Sequence, residues 1–132
     1  MKSKIFNTLL IFGALNVSAW AADPCVTQSN TREMDACGKQ TLAKKDVELN
    51  AAYQKLLKQL VPDPKGDDTN YAEVKTHLLA AQRSWVKFRD SDCKGMLTLF
   101  EQGSIRGSVY FRCLTERTEE RTKQLLNWGK IN

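Results

Sequence analysis

The chain has 132 residues and a formal net charge of +5, and 42% of its residues are hydrophobic. This length is typical of a single domain. The positive residues are spread along the chain and interleaved with acidic ones, which argues against a nucleic-acid-binding patch. We therefore expect a solvated surface of mixed charge.

The N-terminal segment has the pattern of a secretory signal peptide. Lys2 and Lys4 precede a short apolar run, and Ala19 and Ala21 occupy the two small-residue positions that a signal peptidase reads. The run is too short for a comfortable membrane span, and no other long apolar run follows it. We expect residues 1–21 to be removed, which lowers the formal charge from +5 to +3. The remaining chain is expected in the periplasm or outside the cell, without a membrane or lipid anchor.

Four cysteines lie in the remaining domain, residues 22–132: Cys25, Cys37, Cys93 and Cys113. An even number in an exported domain of this size indicates two disulfides. Three pairings are possible, and we favour Cys25–Cys37 with Cys93–Cys113 because each closes a local loop. Each bridge is expected to contribute about 2–4 kcal/mol. We expect no metal site, because the sequence has no Cys-x-x-Cys pair and only one histidine.

The first predicted helix covers residues 30–60. Ser29 or Asn30 is the expected N-cap, Glu33 stands where a capping-box acid would, and Pro62 ends the helix. Apolar residues recur at intervals of three, four or seven positions in this segment, which places them in one stripe on a helix. The stripe consists of Leu42, Leu49, Tyr53, Leu56 and Leu60.

A turn-forming segment, residues 62–68, leads to the second predicted helix, which Asp68 or Thr69 is expected to cap and which ends near Cys93. This helix has the most regular apolar spacing in the chain. Its stripe consists of Tyr71, Val74, Leu78, Ala81, Trp85 and Phe88. Because Trp85 and Phe88 lie on this stripe, we expect both in the core.

Residues 96–100 predict a further short helix, and Gly103 and Gly107 bracket a flexible connection. The last helix is expected from about Ser108 to Trp128, ending at Gly129. The predicted fold class is all-α: a small antiparallel helical bundle of three main helices plus a short one, stapled by two disulfides.

Two positions on the apolar stripe of the last helix are arginines, Arg117 and Arg121. A buried guanidinium requires an acidic partner, or its burial is costly. We expect these two residues and Arg89 to form an internal ion-pair network, for which Asp46 and Asp90 are the obvious carboxylates. The alternative is a ligand site.

The residues show no constellation that supports catalysis. Glu116 and Glu120 alternate with arginines on one helix and predict surface ion pairs rather than a hydrolase pair. The single histidine, His77, flanks an apolar stripe, and both disulfides together use every cysteine. We therefore expect no enzyme activity and no cofactor.

Two loops are candidates for contact with a partner. The segment 62–68 carries the acidic residues Asp63, Asp67 and Asp68. The connection after the second helix carries Ser104 and Arg106, and the flanking half-cystines Cys93 and Cys113 would hold it in a fixed shape. Plain surface connections remain the alternative for both.

A family resemblance covers nearly the whole domain in order. The segment Ala81-Gln82-Arg83-x-Trp85-x-x-Phe88-Arg89-Asp90-x-x-Cys93 resembles the signature of the LprI-like lysozyme-inhibitor family. The resemblance continues upstream in Asp46-x-x-Leu49-Asn50-x-x-Tyr53. Downstream it includes Gly103-Ser104, Cys113 and Arg121-Thr122-x-x-Leu125.

This resemblance implies a small exported helical domain with disulfides that inhibits lysozyme. The implied partner is a protein, either a lysozyme or another peptidoglycan hydrolase. Animal-type lysozymes are usually basic, so the acidic loop could meet a basic rim, or Arg106 could meet the carboxylates of the cleft. The alternative function is a periplasmic stress-response or immunity-type binding protein with a different target.

Overall fold

The computed structural model describes residues 23–66 and 68–130 and contains three helices in that range. They are α1 (Thr31–Gln59), α2 (Tyr71–Leu99) and α3 (Arg106–Leu126). The all-α prediction is confirmed, and the disulfides are the two that we favoured, Cys25–Cys37 and Cys93–Cys113. The predicted signal peptide and Asp67 lie outside the described residues.

Side chains cap the first two helices. The Asn30 side chain accepts a hydrogen bond from the backbone N–H of Glu33 at 3.0 Å, while the Glu33 carboxylate accepts one from the backbone N–H of Ser29 at 3.2 Å. In α2 the cap is Asn70, which accepts from the backbone N–H of Glu73 at 3.2 Å. Asp68 and Thr69 were therefore the wrong caps, because an equally good capping residue stands directly before Tyr71.

The second helix does not stop near Cys93. It continues to Leu99 through the residues that we predicted as a separate short helix. The one glycine in that stretch, Gly95, is tolerated inside a helix at a cost of about 1 kcal/mol. The bundle therefore has three helices in the described residues, and the chain reverses only at residues 100–105.

Glycines let α3 approach α1 closely. Gly107, which we predicted in a flexible connection, belongs to the first turn of α3, and a Cβ atom there would overlap the carboxylate of Asp35. A Cβ at Gly38 would likewise stand only 2.8 Å from the Cβ of Phe111. The absence of a Cβ at Gly38 is therefore needed for the close contact between the helices, whereas at Gly107 the overlapping carboxylate is the end of a side chain that can rotate away.

The helices run up, down and up, and α3 packs against both α1 and α2. The disulfide between Cys93 and Cys113 and the hydrogen bond between Gln82 and Arg121 show that α2 and α3 are antiparallel. Lys45 of α1 pairs with Glu119 of α3, and Asp35 of α1 accepts from Ser108 of α3, so these two helices are parallel. Consecutive helices are antiparallel, as predicted.

The apolar core lies in the half of the bundle that faces the α1–α2 loop. Partly buried hydrophobic residues, including Trp85 and Tyr53, pack against it. Its buried members are Leu49, Ala52, Leu56, Leu78 and Leu125.

The core prediction for Trp85 is confirmed, but the prediction for Phe88 is wrong, because Phe88 is 57% exposed. Each residue turns a helix by about 100°. Phe88 therefore points about 60° to one side of Trp85, whereas Arg89 points only about 40° to the other side. The inward position one turn after Trp85 is occupied by Arg89, whose side chain is 12% exposed.

Within the described residues, no helix combines the length and the apolar composition that a membrane crossing requires.

Candidate functional site

A cluster around Arg89 joins all three helices in the middle of the bundle. The Nη1 atom of Arg89 donates to Asp46 Oδ1 of α1 at 2.8 Å and to Thr118 Oγ1 of α3 at 2.9 Å. Its Nε atom donates to Asp90 Oδ1 at 3.1 Å. The guanidinium carbon also lies 5.2 Å from the centroid of the Trp85 ring, a cation–π distance.

The cluster satisfies the groups that it buries. Thr118 is fully buried, and its hydroxyl accepts from Arg89 while donating to the backbone carbonyl of Leu114 at 2.8 Å. The two carboxylates remain partly solvated, since the side chain of Asp46 is 41% exposed and that of Asp90 is 45% exposed. The buried cation is therefore neutralised by anions that keep some of their hydration, which reduces the desolvation cost of the pair.

The internal ion-pair network predicted for Arg89 with Asp46 and Asp90 is thus present. Sequence reasoning missed Thr118, because a threonine on a helix stripe does not by itself indicate an arginine partner. Its position four residues after the buried Leu114 was the available signal.

Arg117 belongs to a separate, more exposed group of ion pairs. It donates to Asp92 at 3.0 Å and to Glu120 at 3.2 Å. These hydrogen bonds, first to Asp92 and then to Glu120, raise the pKa of the Arg117 guanidinium. The expected acidic partnership is present, but with carboxylates other than Asp46 and Asp90.

Arg121 has amide partners. Its Nε atom donates to Gln82 Oε1 and its Nη1 atom to Gln124 Oε1, both at 3.0 Å. Burial lowers the pKa of the Arg121 guanidinium, which still stays charged at neutral pH. The prediction of an acidic partner for Arg121 was wrong, because two of its N–H groups donate to neutral amides at this half-buried site.

Other candidate chemistry is accounted for by structure. Asp92 lies beside Cys93 and Cys113, but both sulfurs are consumed by their disulfide and only one carboxylate remains to bind a metal. His77 is on the surface, 3.7 Å from Glu73 of the same helix. Of the residues that carry the family resemblance, Arg89 contacts both other helices, whereas Phe88 is exposed.

The α2–α3 turn, residues 99–106, forms one end of the molecule. Three of its apolar side chains are exposed: 75% for Leu99, 38% for Phe100 and 46% for Ile105. The backbone N–H of Gly103 donates to the Phe100 carbonyl at 2.8 Å, and Arg106 Nη1 donates to the Glu101 carbonyl at 3.2 Å. Ser104 and Arg106 are exposed here.

The acidic loop lies at the opposite end. Asp63 and Asp68 are exposed, while Asp67 is outside the described residues. The Asp63 side chain accepts from the backbone N–H of Lys65 at 2.8 Å, and Gly66 has a φ of +85° that favours glycine. Because α2 has 29 residues, the two loops are about 43 Å apart. They are therefore alternative contact surfaces rather than parts of one.

Comparisons with known proteins point to one family. A family model described as "Lysozyme inhibitor LprI" matches residues 22–125, which include all four cysteines and nearly all of the three helices. An uncharacterized protein of Rhizobium meliloti (strain 1021) is 31% identical over 124 residues, which cover 89% of this chain and 88% of that protein. No solved structure gives a significant match.

Proposed function

Because the chain belongs to the LprI lysozyme-inhibitor family, we propose that it is an exported protein that binds a lysozyme and blocks cleavage of peptidoglycan. The family match over residues 22–125 is the observation that carries this proposal. The location is supported by the charged and apolar pattern of residues 1–21 and by the two disulfides, which persist in oxidising compartments.

The proposed mechanism is occlusion by a folded protein. A lysozyme cleaves its substrate with two carboxyl groups on either side of the scissile glycosidic bond. A protein that fills or covers this cleft excludes the polysaccharide without any chemical step. The inhibitor then needs only a preformed surface, since a surface that is ordered before binding loses little entropy in the complex.

The scaffold suits this mechanism. The Cys93–Cys113 disulfide ties α2 to α3, and the Arg89 cluster ties α2 to both α1 and α3. The Cys25–Cys37 disulfide fixes the segment before α1 to that helix. In the part of the chain that the structure describes, the cysteines are all in disulfides, so none offers a free thiol for a covalent reaction with a partner. Inhibition by occlusion of the cleft would be reversible and stoichiometric.

The test is a muramidase assay with the oxidised protein recovered from the periplasm of an expression host carrying the full chain. We expect loss of lytic activity against at least one of several lysozyme types, with saturation near one inhibitor per enzyme. The matched control is the same preparation after reduction and alkylation. No inhibition at micromolar excess, together with no detectable complex, would reject the function and favour a stress-response or immunity role.

A further inference from the structure

We propose that the α2–α3 turn is the surface that enters the substrate cleft of the inhibited lysozyme. The inference rests on the proposed function and assigns the contact to one end of the bundle. The proposed contact residues of the turn are Leu99, Phe100, Ile105 and Arg106.

The turn has the composition of an interface centre. Leu99, Phe100 and Ile105 expose large apolar side chains close together in the sequence, and an arginine follows directly. The buried centre of a protein interface is enriched in aromatic residues and arginine, and these residues supply most of the binding energy. Exposed apolar residues also lie near each other in sequence at Val86 and Phe88 and at Leu126 and Trp128, but the turn carries the largest such group among the described residues.

The turn is also ordered before binding. The Cys93–Cys113 disulfide joins the two helices that enter and leave it, with Cα atoms 5.6 Å apart. Inside the turn, the backbone N–H of Arg106 donates to the Gly103 carbonyl at 3.3 Å, in addition to the bond between Gly103 and Phe100. A partner would therefore meet a fixed shape and would not have to order a flexible loop.

Charge favours this end over the other. The guanidinium of Arg106 is exposed and donates a hydrogen bond to the neutral backbone carbonyl of Glu101, so its positive charge is available to an anion. The cleft of a lysozyme holds the two catalytic carboxyl groups, and arginine pairs strongly with carboxylates. The turn also carries the carboxylate of Glu101, so its formal charge is zero. The opposite loop, residues 62–68, carries three aspartates against one lysine, and its net negative charge would be repelled by the catalytic carboxylates.

The experiment compares residues of the turn with matched exposed residues on α2. Phe100→Ala is compared with Phe88→Ala, and Arg106→Glu with Arg83→Glu, in the full-length protein recovered from the periplasm. We expect both turn variants to raise the concentration for half inhibition at least tenfold, while both α2 variants stay within about twofold. Melting temperatures establish that each variant is folded, and if Phe100→Ala unfolds, the exposed Arg106→Glu decides.

The outcomes separate the two proposals. If the wild type inhibits and all four variants inhibit equally well, the turn is not the contact surface, but the proposed function still holds. No inhibition by the wild type would overturn both. If the turn variants change the molecular mass measured by sedimentation but not the inhibition, the turn joins two copies of this chain. That result also overturns the proposal.

Discussion

The two halves of the bundle are held together by different interactions. In the half that faces the α1–α2 loop, leucines from all three helices bury one another, with Trp85 packed beside them. In the half that faces the α2–α3 turn, the buried apolar residues include Cys25 at 3% exposure, Cys93 at 0% and Val109 at 8%. The Arg89 cluster lies between the two halves.

This difference shows how a domain of this size divides its stability. Small domains bury a limited apolar area, and disulfides often compensate for it. Here the half with the larger leucine cluster has no disulfide among its described residues, whereas the other half has both. The stapled half also carries the exposed turn, so covalent bonds hold in place the surface that exposes apolar side chains instead of burying them.

The largest expected effect is in the apolar half. We expect Trp85→Ala to lower the free energy of unfolding by about 3–4 kcal/mol, because it removes an aromatic ring packed on the core. Phe88→Ala is the matched control, and it should cost less than about 1 kcal/mol because that ring is largely solvated. Denaturant unfolding of the oxidised proteins measures both, and equal losses would contradict the assignment of Trp85 to the core.

In the stapled half, replacing Cys93 and Cys113 together by serine is expected to cost about 3 kcal/mol, since the unfolded chain regains the freedom of the closed loop. Hydrogen exchange should rise in the α2–α3 turn more than in the leucine core. The Cys25–Cys37 pair closes a shorter loop, with a separation of 12 residues against 20, and its removal is expected to cost slightly less. A uniform rise in exchange over both halves would show that they are not separately stabilised.

At the junction, Arg89→Lys tests the geometry of the cluster. Lysine keeps the charge, but its single ammonium group cannot donate to Asp46, Asp90 and Thr118 at once as the planar guanidinium does. We therefore expect the free energy of unfolding to fall by about 2 kcal/mol. Arg112→Lys is the control, because Arg112 forms an exposed pair with Glu116 that is worth about 0.5 kcal/mol or less. Thermal unfolding of the two variants should separate them clearly.

The smallest expected effect is the pH dependence from Lys45. Its hydrogen bonds to Glu119 and Glu48 raise the pKa of the ammonium in the folded protein. The stabilisation is therefore complete below the unfolded pKa of about 10.4 and is lost as the pH rises through the higher folded value. The loss of unfolding free energy above about pH 10 should be less than about 1 kcal/mol, and we expect it to be absent from the unfolding curves of the Lys45→Met variant. The same change at the exposed Lys87 should leave the loss in place.

Much of the fold could be predicted from the sequence because local signals are strong. The stripe with Leu49 and Leu56 and the proline after α1 placed the first helix to within one residue at each end. Short separations favoured the correct cysteine pairs. The cap of α2 and its continuation past Cys93 were missed, because several residues could serve as caps and one interior glycine does not stop a helix.

The inward face of α2 shows why site residues were harder to predict. The spacing of apolar residues predicted that Phe88 faces the core. In the structure Arg89 occupies the inward position instead and pairs with two aspartates. Hydrophobic patterning cannot recognise a charge that is buried because partners on other helices neutralise it. The same reasoning applies to Arg121, whose glutamine partners have no sequence pattern of their own.

The proposed function requires this protein to occupy a lysozyme cleft, and calorimetric titration measures that occupation directly. The oxidised protein is titrated into the most strongly inhibited lysozyme, alone and in the presence of a chitin trisaccharide that binds in the cleft. We predict a saturable complex of one to one stoichiometry whose apparent affinity falls in proportion to the trisaccharide concentration. No complex, or a complex whose affinity the trisaccharide leaves unchanged, would contradict the account.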